Sequence, residues 1–237
     1  EFKQIRKNML EGKRSEECKK CYEQESNGFI SMRNSSNKHH GQYINIVDQT
    51  EPDGHFADFK LRYYDVRFSN LCNMSCRTCG SLFSSSWYNE ESKLFGKRNH
   101  PQIMIAGRNE NDMWEQLMPH IPYLDQIYFA GGEPLIMEEH YRLLEELVRQ
   151  ERFDVKLIYN TNFSRTRLKD KEVFDYWKLF KSVSVGASLD GMGPRAEYIR
   201  KGTKWDEIER NRLAMLEKCP SVDFYVSSTV SLYNVLH

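Results

Sequence analysis

Residues Tyr63–Gly80 read YYDVRFSNLCNMSCRTCG: a strand-like run ending at Asn70, then Cys72, Cys76 and Cys79 within an eight-residue loop. Tyr64, Val66 and Phe68 alternate with Asp65 and Arg67, the two-residue period of a strand. Three thiols in so short a loop can be aimed at one centre, and thiolates at that density suit iron–sulfur clusters and zinc. Four ligands close a structural zinc site. Three thiolates leave one corner of an iron–sulfur cubane open to a substrate or cofactor.

Outward from this stretch the chain repeats strand then helix. Strand-like runs fall at Gln126–Ala130, Lys156–Asn160, Ser182–Leu189 and Val222–Val230. Between them lie helical stripes: Phe83, Trp87 and Leu94; Met113, Trp114, Leu117 and Met118; Met137, Tyr141, Leu144 and Val148; and Trp205–Lys218. Asp170 is placed to cap a helix displaying Val173, Phe174, Trp177 and Phe180. Such repeats imply parallel strands joined by crossover helices, an α/β fold. In the fourth strand Val183, Val185, Ala187 and Leu189 share one face, and Ser182, Ser184, Gly186 and Ser188 the other; in the fifth, Val222, Phe224 and Val226 oppose Asp223, Tyr225 and Ser227. A strand sandwiched between helix layers is apolar on both faces. One polar or small face fits the lumen of an open or partial barrel better than a doubly wound sheet.

The 237 residues suffice for one substantial core with an appendage. Lys+Arg and Asp+Glu both total 34, so no global basic field indicates nucleic acid and no acidic excess indicates disorder. Five of the six cysteines sit in two tight groups of metal-ligand spacing, and no apolar run is long enough to span a bilayer, which reads as a reducing cytoplasm. The start at Glu1 without Met, and the stop at His237 just after a strand, give the expectation of a piece of a longer protein.

Residues 1–60 differ from the 61–237 region. Phe2, Ile5, Met9 and Leu10 have helical spacing, and Cys18 and Cys21 form a Cys-x2-Cys pair. Asn34–Asp58, polar and with Pro, Asp and Gly, is expected to be irregular with one strand at Tyr43–Val47. Lys3, Arg6, Lys7, Lys13, Arg14, Lys19 and Lys20 cluster here, a pattern that usually means a solvated helix face.

Ligands of parallel α/β sheets gather at the carboxyl ends of the strands. The second strand runs into Gly131-Gly132-Glu133, where two glycines let backbone approach a ligand and Glu133 offers an acceptor for an ammonium group. The third ends in Asn160-Thr161-Asn162, and the fourth in Ser188-Leu189-Asp190-Gly191 with Ser188 and Asp190 on one face. Arg200 precedes the helix at Trp205, and a guanidinium suits bidentate carboxylate binding. Taken singly, each element also reads as ordinary turn or surface chemistry.

At the cysteine loop the sequence resembles the radical SAM superfamily, with Thr78 where that family usually has an aromatic residue. The resemblance covers about residues 61–235. It implies a (β/α)6 partial barrel, of which five strands are counted and the sixth is missing, and a [4Fe–4S] cluster on Cys72, Cys76 and Cys79 whose fourth iron is chelated by S-adenosylmethionine. It further implies that Gly131, Gly132 and Glu133 bind the amino group of S-adenosylmethionine, that Asn162 and Ser188 lie beside it, and that Arg200 pairs with its carboxylate. Val230 and Asn234 fall where adenine and ribose contacts are expected, and Asp190 points toward substrate as the candidate catalytic residue. The implied activity is reductive cleavage to a 5′-deoxyadenosyl radical that abstracts hydrogen, fed by a flavodoxin- or ferredoxin-type reductant protein. Asp65, Arg67, Asp190 and Tyr225 are the expected substrate contacts.

The segment around Cys18 and Cys21 resembles the cysteine-bearing parts of SPASM and twitch-type members, which hold auxiliary clusters and often modify peptides or proteins. In those members the auxiliary ligands usually follow the barrel; here the pair precedes it. An auxiliary iron–sulfur cluster at Cys18 and Cys21, or zinc with help from His39 or His40, are both open, and Cys219 reads as a buried structural cysteine. The substrate classes are a peptide or protein first and a small molecule second; nucleic acid is not indicated. The competing class is a non-catalytic zinc-binding scaffold built on both cysteine groups.

Overall fold

Alternation along the strand-like runs becomes a sheet of five parallel strands in a computed structural model that describes residues 1–109 and 111–236. The strands are β1 (Tyr63–Val66), β2 (Gln126–Phe129), β3 (Lys156–Thr161), β4 (Val183–Ala187) and β5 (Asp223–Val226), hydrogen-bonded in chain order. A doubly wound sheet reverses its strand order at a switch point, whereas a barrel wall adds each strand beside the last. The unreversed order is that of a barrel wall, and the expected α/β partial-barrel fold is met.

The chain divides into two compact units, one spanning Glu1–Lys60 and the other running from Leu61 onward. In the second, the apolar face of the sheet carries the core. Tyr64, Val66, Ile127, Phe129, Leu157, Tyr159, Val183 and Val185 are buried, and Phe129 stacks on Tyr159 with ring centroids 4.8 Å apart. Helix α4 (Glu138–Arg149) adds Tyr141, Leu143, Leu144 and Leu147 from one helical stripe. Each such side chain contributes about 1.5–3 kcal/mol of burial. This layer makes the strand ends a rigid platform.

The opposite face differs from the expected wetted lumen at β4, where all five residues are buried. Ser184 donates to the Asp223 carboxylate (2.8 Å), and the Tyr225 ring lies across Gly186, where an added Cβ would fall 2.9 Å from the phenol oxygen. At Ser184 a neighbouring side chain supplies the polar partner. Asp170 also differs from expectation. The helix Val173–Trp177 has Glu172 at its cap position without a side-chain capping bond, and Lys171–Glu172 is tied instead into a two-residue hairpin with Arg167–Leu168.

In the first unit, α1 (Phe2–Leu10), α2 (Lys19–Ser26) and α3 (Met32–His40) are short helices, the last running through the start of the stretch expected to be irregular. Ser31 starts α3 by a reciprocal cap with Asn34. The strand expected at Tyr43–Val47 is instead part of a 3₁₀ helix, Gly41–Gln49. Tyr43, Ile44, Ile46 and Val47 fit a three-residue period as well as a two-residue one, and the described residues of this unit form no strand for such a run to pair with. Among the described residues no helix is long and apolar enough to cross a membrane.

Candidate active site

The loop after β1 has almost no regular structure, so its backbone groups need partners from elsewhere. A serine run supplies them. Ser84 donates to Met74 O (2.6 Å), Ser85 Oγ accepts from Cys72 N (3.2 Å), and Ser86 donates to Cys72 O (2.6 Å). Trp87 Nε1 donates to Cys76 O (2.9 Å). Buried Asn70 clamps the entry, its amide donating to Ser81 O and Gln102 O while Oδ1 accepts from Met104 N. Sequence reasoning read Trp87 only as part of a helical stripe and missed the serines; the signal was the Ser84–Ser86 run placed directly behind the thiols.

Three more struts fix the loop from across the sheet. Ser75–Cys76 pairs antiparallel with Arg200–Lys201. Asn73 accepts from Asn162 Nδ2 (2.9 Å) and donates to Ser164 Oγ (2.9 Å). Arg77 donates to Tyr198 O (2.8 Å) and lies on the Tyr198 ring, 3.9 Å from its centroid.

Cys72, Cys76 and Cys79 thereby line one hollow of about 290 Å³, together with Gly131, Gly132, Asn162, Ser188 and Arg200. Larger hollows of about 670 and 710 Å³ lie elsewhere and contain none of the cysteines. Burial pushes all three thiols above the ordinary cysteine range; the Arg200 guanidinium opposes this at Cys76 and Cys79. No group of three His, Cys, Asp or Glu side chains among the described residues is arranged to hold a single metal ion. Thiolates that each bind a different iron of a cluster do not need to converge on one point. Three sulfur donors on one wall, two arginines (Arg67 and Arg200) and glycine backbone on the others, and no carboxylate in the lining, make a donor set that fits a cluster carrying an amino-acid ligand.

Gly131 has φ +84°, a conformation that favours glycine. Glu133 sits apart from its expected role as an open acceptor. Its carboxylate is fully buried and accepts from Thr161 Oγ1 (2.6 Å), Asn162 N (2.6 Å) and Leu135 N (3.1 Å). It ties the end of β2 to the end of β3 and does not line the cysteine hollow. Burial pushes its pKa up to about 7 against those three donors. A carboxyl raised on folding is stabilising while protonated. That contribution, of order 3 kcal/mol, is present below about pH 4.5 and lost as pH rises to about 7. Urea unfolding of the metal-free chain is expected to show this decline. Glu133→Gln removes this group's part of it, while costing about 1–3 kcal/mol at low pH by setting an amide against the Asn162 N–H. An unchanged pH dependence in the variant overturns the assignment.

Asp190 and Arg200 are brought together, ten residues apart in sequence. Nε and Oδ2 are 2.8 Å apart and Nη2 donates to Oδ1 at 3.1 Å, while Nη1 lies 3.9 Å from Cys76 Sγ. Asp190 also accepts from Thr229 N (2.8 Å), so it offers no free carboxylate to the cysteine hollow. Val230 and Asn234 line the neighbouring 670 Å³ hollow, which Asp190 also touches; the Asn234 amide donates to Asp190 O and Thr229 O. Arg67 is paired with Asp65 and lines the cysteine hollow; Tyr225 does not. Cys18 and Cys21 lie one helical turn apart, partly exposed, and neither His39 nor His40 completes a three-ligand group with them.

No family model and no curated protein matches the chain. Among solved structures, Streptococcus suis SuiB bound to precursor peptide SuiA matches 88% of this chain and 42% of that one, with 15% identity and a TM-score of 0.51. Native anSMEcpe with bound AdoMet matches 70% of this chain and 42% of its own, at 19% identity and a TM-score of 0.45. SuiB bound to S-adenosylmethionine matches 75% and 35%, at 14% identity and 0.42. The chain shares the fold of SuiB and spans less than half the length of the solved proteins it matches.

Proposed function

We propose that the chain is the core of a radical SAM enzyme that acts on a peptide or protein. One observation carries the reading. Cys72, Cys76 and Cys79, in the spacing that resembles that superfamily, line the same hollow as the Gly131–Gly132 backbone and Arg200. The shared fold with SuiB, a protein solved with its precursor peptide, supports the peptide class over small molecules.

In this reading Cys72, Cys76 and Cys79 hold a [4Fe–4S] cluster, and Gly131, Gly132, Asn162, Ser188 and Arg200 hold S-adenosylmethionine. When bound, cluster and cofactor supply one-electron reduction of the sulfonium and a carbon radical able to take hydrogen from substrate. The protein's own part is placement. Arg200 meets the cofactor carboxylate while Asp190 fixes the guanidinium plane, so Asp190 is a positioning residue. Glu133 keeps the Gly-Gly turn rigid from beneath. Val230 and Asn234 border the hollow beside Asp190 and are the candidate adenine and ribose contacts of this reading. The electron comes from a flavodoxin- or ferredoxin-type protein.

Anaerobic purification, iron and acid-labile sulfide analysis, and EPR of the dithionite-reduced protein test this. About four irons per chain, with a signal that shifts on adding S-adenosylmethionine, is the expected result; more iron would point to an auxiliary cluster at Cys18 and Cys21. Zinc without sulfide and an unresponsive spectrum would leave the scaffold reading instead.

A further inference from the structure

We propose that a cationic recess between the loop after β3 and the first half of α5 (Trp205–Lys218) binds the carboxylates of an acidic segment of the substrate. The inference rests on the reading of the substrate as a peptide. The recess, about 390 Å³, is lined by Arg165, Arg167 and Lys169 from the loop and by Glu207, Arg210 and Asn211 from the helix. Four cations against one carboxylate is a local accumulation in a chain whose positive and negative charges balance at 34 each.

The pairing within the recess is incomplete. Arg167 is matched by Glu172 (3.2 Å), Lys169 by Glu138, and Glu207 faces Lys204 (3.6 Å). Arg165 and Arg210 have no ion-pair partner among the described residues. Two unmatched guanidiniums lining one concavity repel each other, and oxyanions placed between them relieve that repulsion. The planar fork of each suits a carboxylate bidentately.

The walls are held in place. Asn211 Nδ2 donates to Phe163 O (2.9 Å), and the Phe163 ring packs on Phe224 at 5.2 Å. Ser164, at the edge of the recess, donates to Asn162 Oδ1 (2.7 Å) and accepts from Asn73 in the cysteine loop (2.9 Å). An occupant therefore sits one hydrogen-bonded residue away from the wall of the cysteine hollow. That is where a substrate would be gripped beside its reacting part. No aromatic ring lines the recess, so it lacks the stacking platforms that single-stranded nucleic acid uses.

Fluorescence anisotropy on the full, cluster-reconstituted chain tests the proposal, with labelled octaglutamate, octalysine and an eight-nucleotide oligothymidylate as probes. Octaglutamate is expected to bind in a salt-sensitive manner and octalysine not to bind. Arg165→Gln with Arg210→Gln should weaken octaglutamate about tenfold. Lys156→Gln with Lys181→Gln, at the opposite end of the strands, should leave it unchanged. Glu207→Gln should tighten it about threefold, a gain that misfolding cannot produce. Equal binding by the arginine variant, or tighter binding of the oligothymidylate with the same sensitivity, would overturn the proposal. The readout needs no turnover. A wild-type chain that shows the cofactor-responsive EPR signal but does not bind octaglutamate therefore refutes the recess alone.

Discussion

Asp190→Ala is expected to lower stability by about 3–5 kcal/mol, because it leaves the largely buried Arg200 charge without its partner. The Asp190 side chain is 0% exposed and that of Arg200 12%, so hydration recovers only part of the lost contact. The Thr229 N–H loses its acceptor as well. Asp190→Asn keeps an acceptor for that N–H and removes only the charge, so it should fall between the wild type and the alanine variant. Arg200→Gln strands the opposite charge. The double variant Asp190→Ala with Arg200→Gln should cost clearly less than the sum of the singles, because neither ion is then left unpaired. Urea unfolding of the four proteins measures this coupling. Additive costs would show that the two side chains act separately. For function, reconstituted Asp190→Asn should retain its iron while its affinity for S-adenosylmethionine drops at least tenfold, about 1.4 kcal/mol. This split between iron content and cofactor response separates positioning from scaffolding.

Gly132→Ala should cost about 3 kcal/mol or more and should empty the cysteine site indirectly. A Cβ on Gly132 would stand 2.1 Å from Leu71 O and 2.7 Å from Asn70 C, both backbone atoms. No side-chain rotation relieves that overlap; the segment leading into Cys72 has to move. Gly132 N to Ser69 O (3.1 Å) and Glu133 N to Leu71 O (2.7 Å), which dock the turn against the cysteine loop, would be lost with it. Iron bound per reconstituted chain is therefore expected to fall several-fold although no ligand has changed. Gly41→Ala is the control, since nothing lies within 4 Å of its added Cβ and its φ is −57°. It should change stability by less than about 1 kcal/mol. Full iron uptake by Gly132→Ala would show that the two loops are not held in register.

Much of the architecture was legible because it is written in short periods. Val183, Val185 and Ala187 alternate with small residues, and Tyr141, Leu144 and Val148 recur at helical spacing; the structure has β4 and α4 there. Tyr43–Val47 was not legible, because a short apolar run satisfies two periods at once and its surroundings choose between them. Asp170 failed as a cap for a related reason, as the hairpin joining Arg167–Leu168 to Lys171–Glu172 holds the backbone before the helix.

The site divides along the same line. The residues that carry the proposed chemistry were legible in the sequence alone, since the spacing of Cys72, Cys76 and Cys79 and the Gly-Gly-Glu and Ser-Leu-Asp-Gly elements depend only on residues a few positions apart. Tertiary structure decided where the polar groups spend their bonds. It turned Glu133 inward onto Thr161 and Asn162, set Asp190 on Arg200, and gave the cysteine loop its hydrogen bonds from Ser84–Trp87. A carboxylate takes whichever donors the fold delivers to it away from water, and those donors come from segments that no local pattern connects.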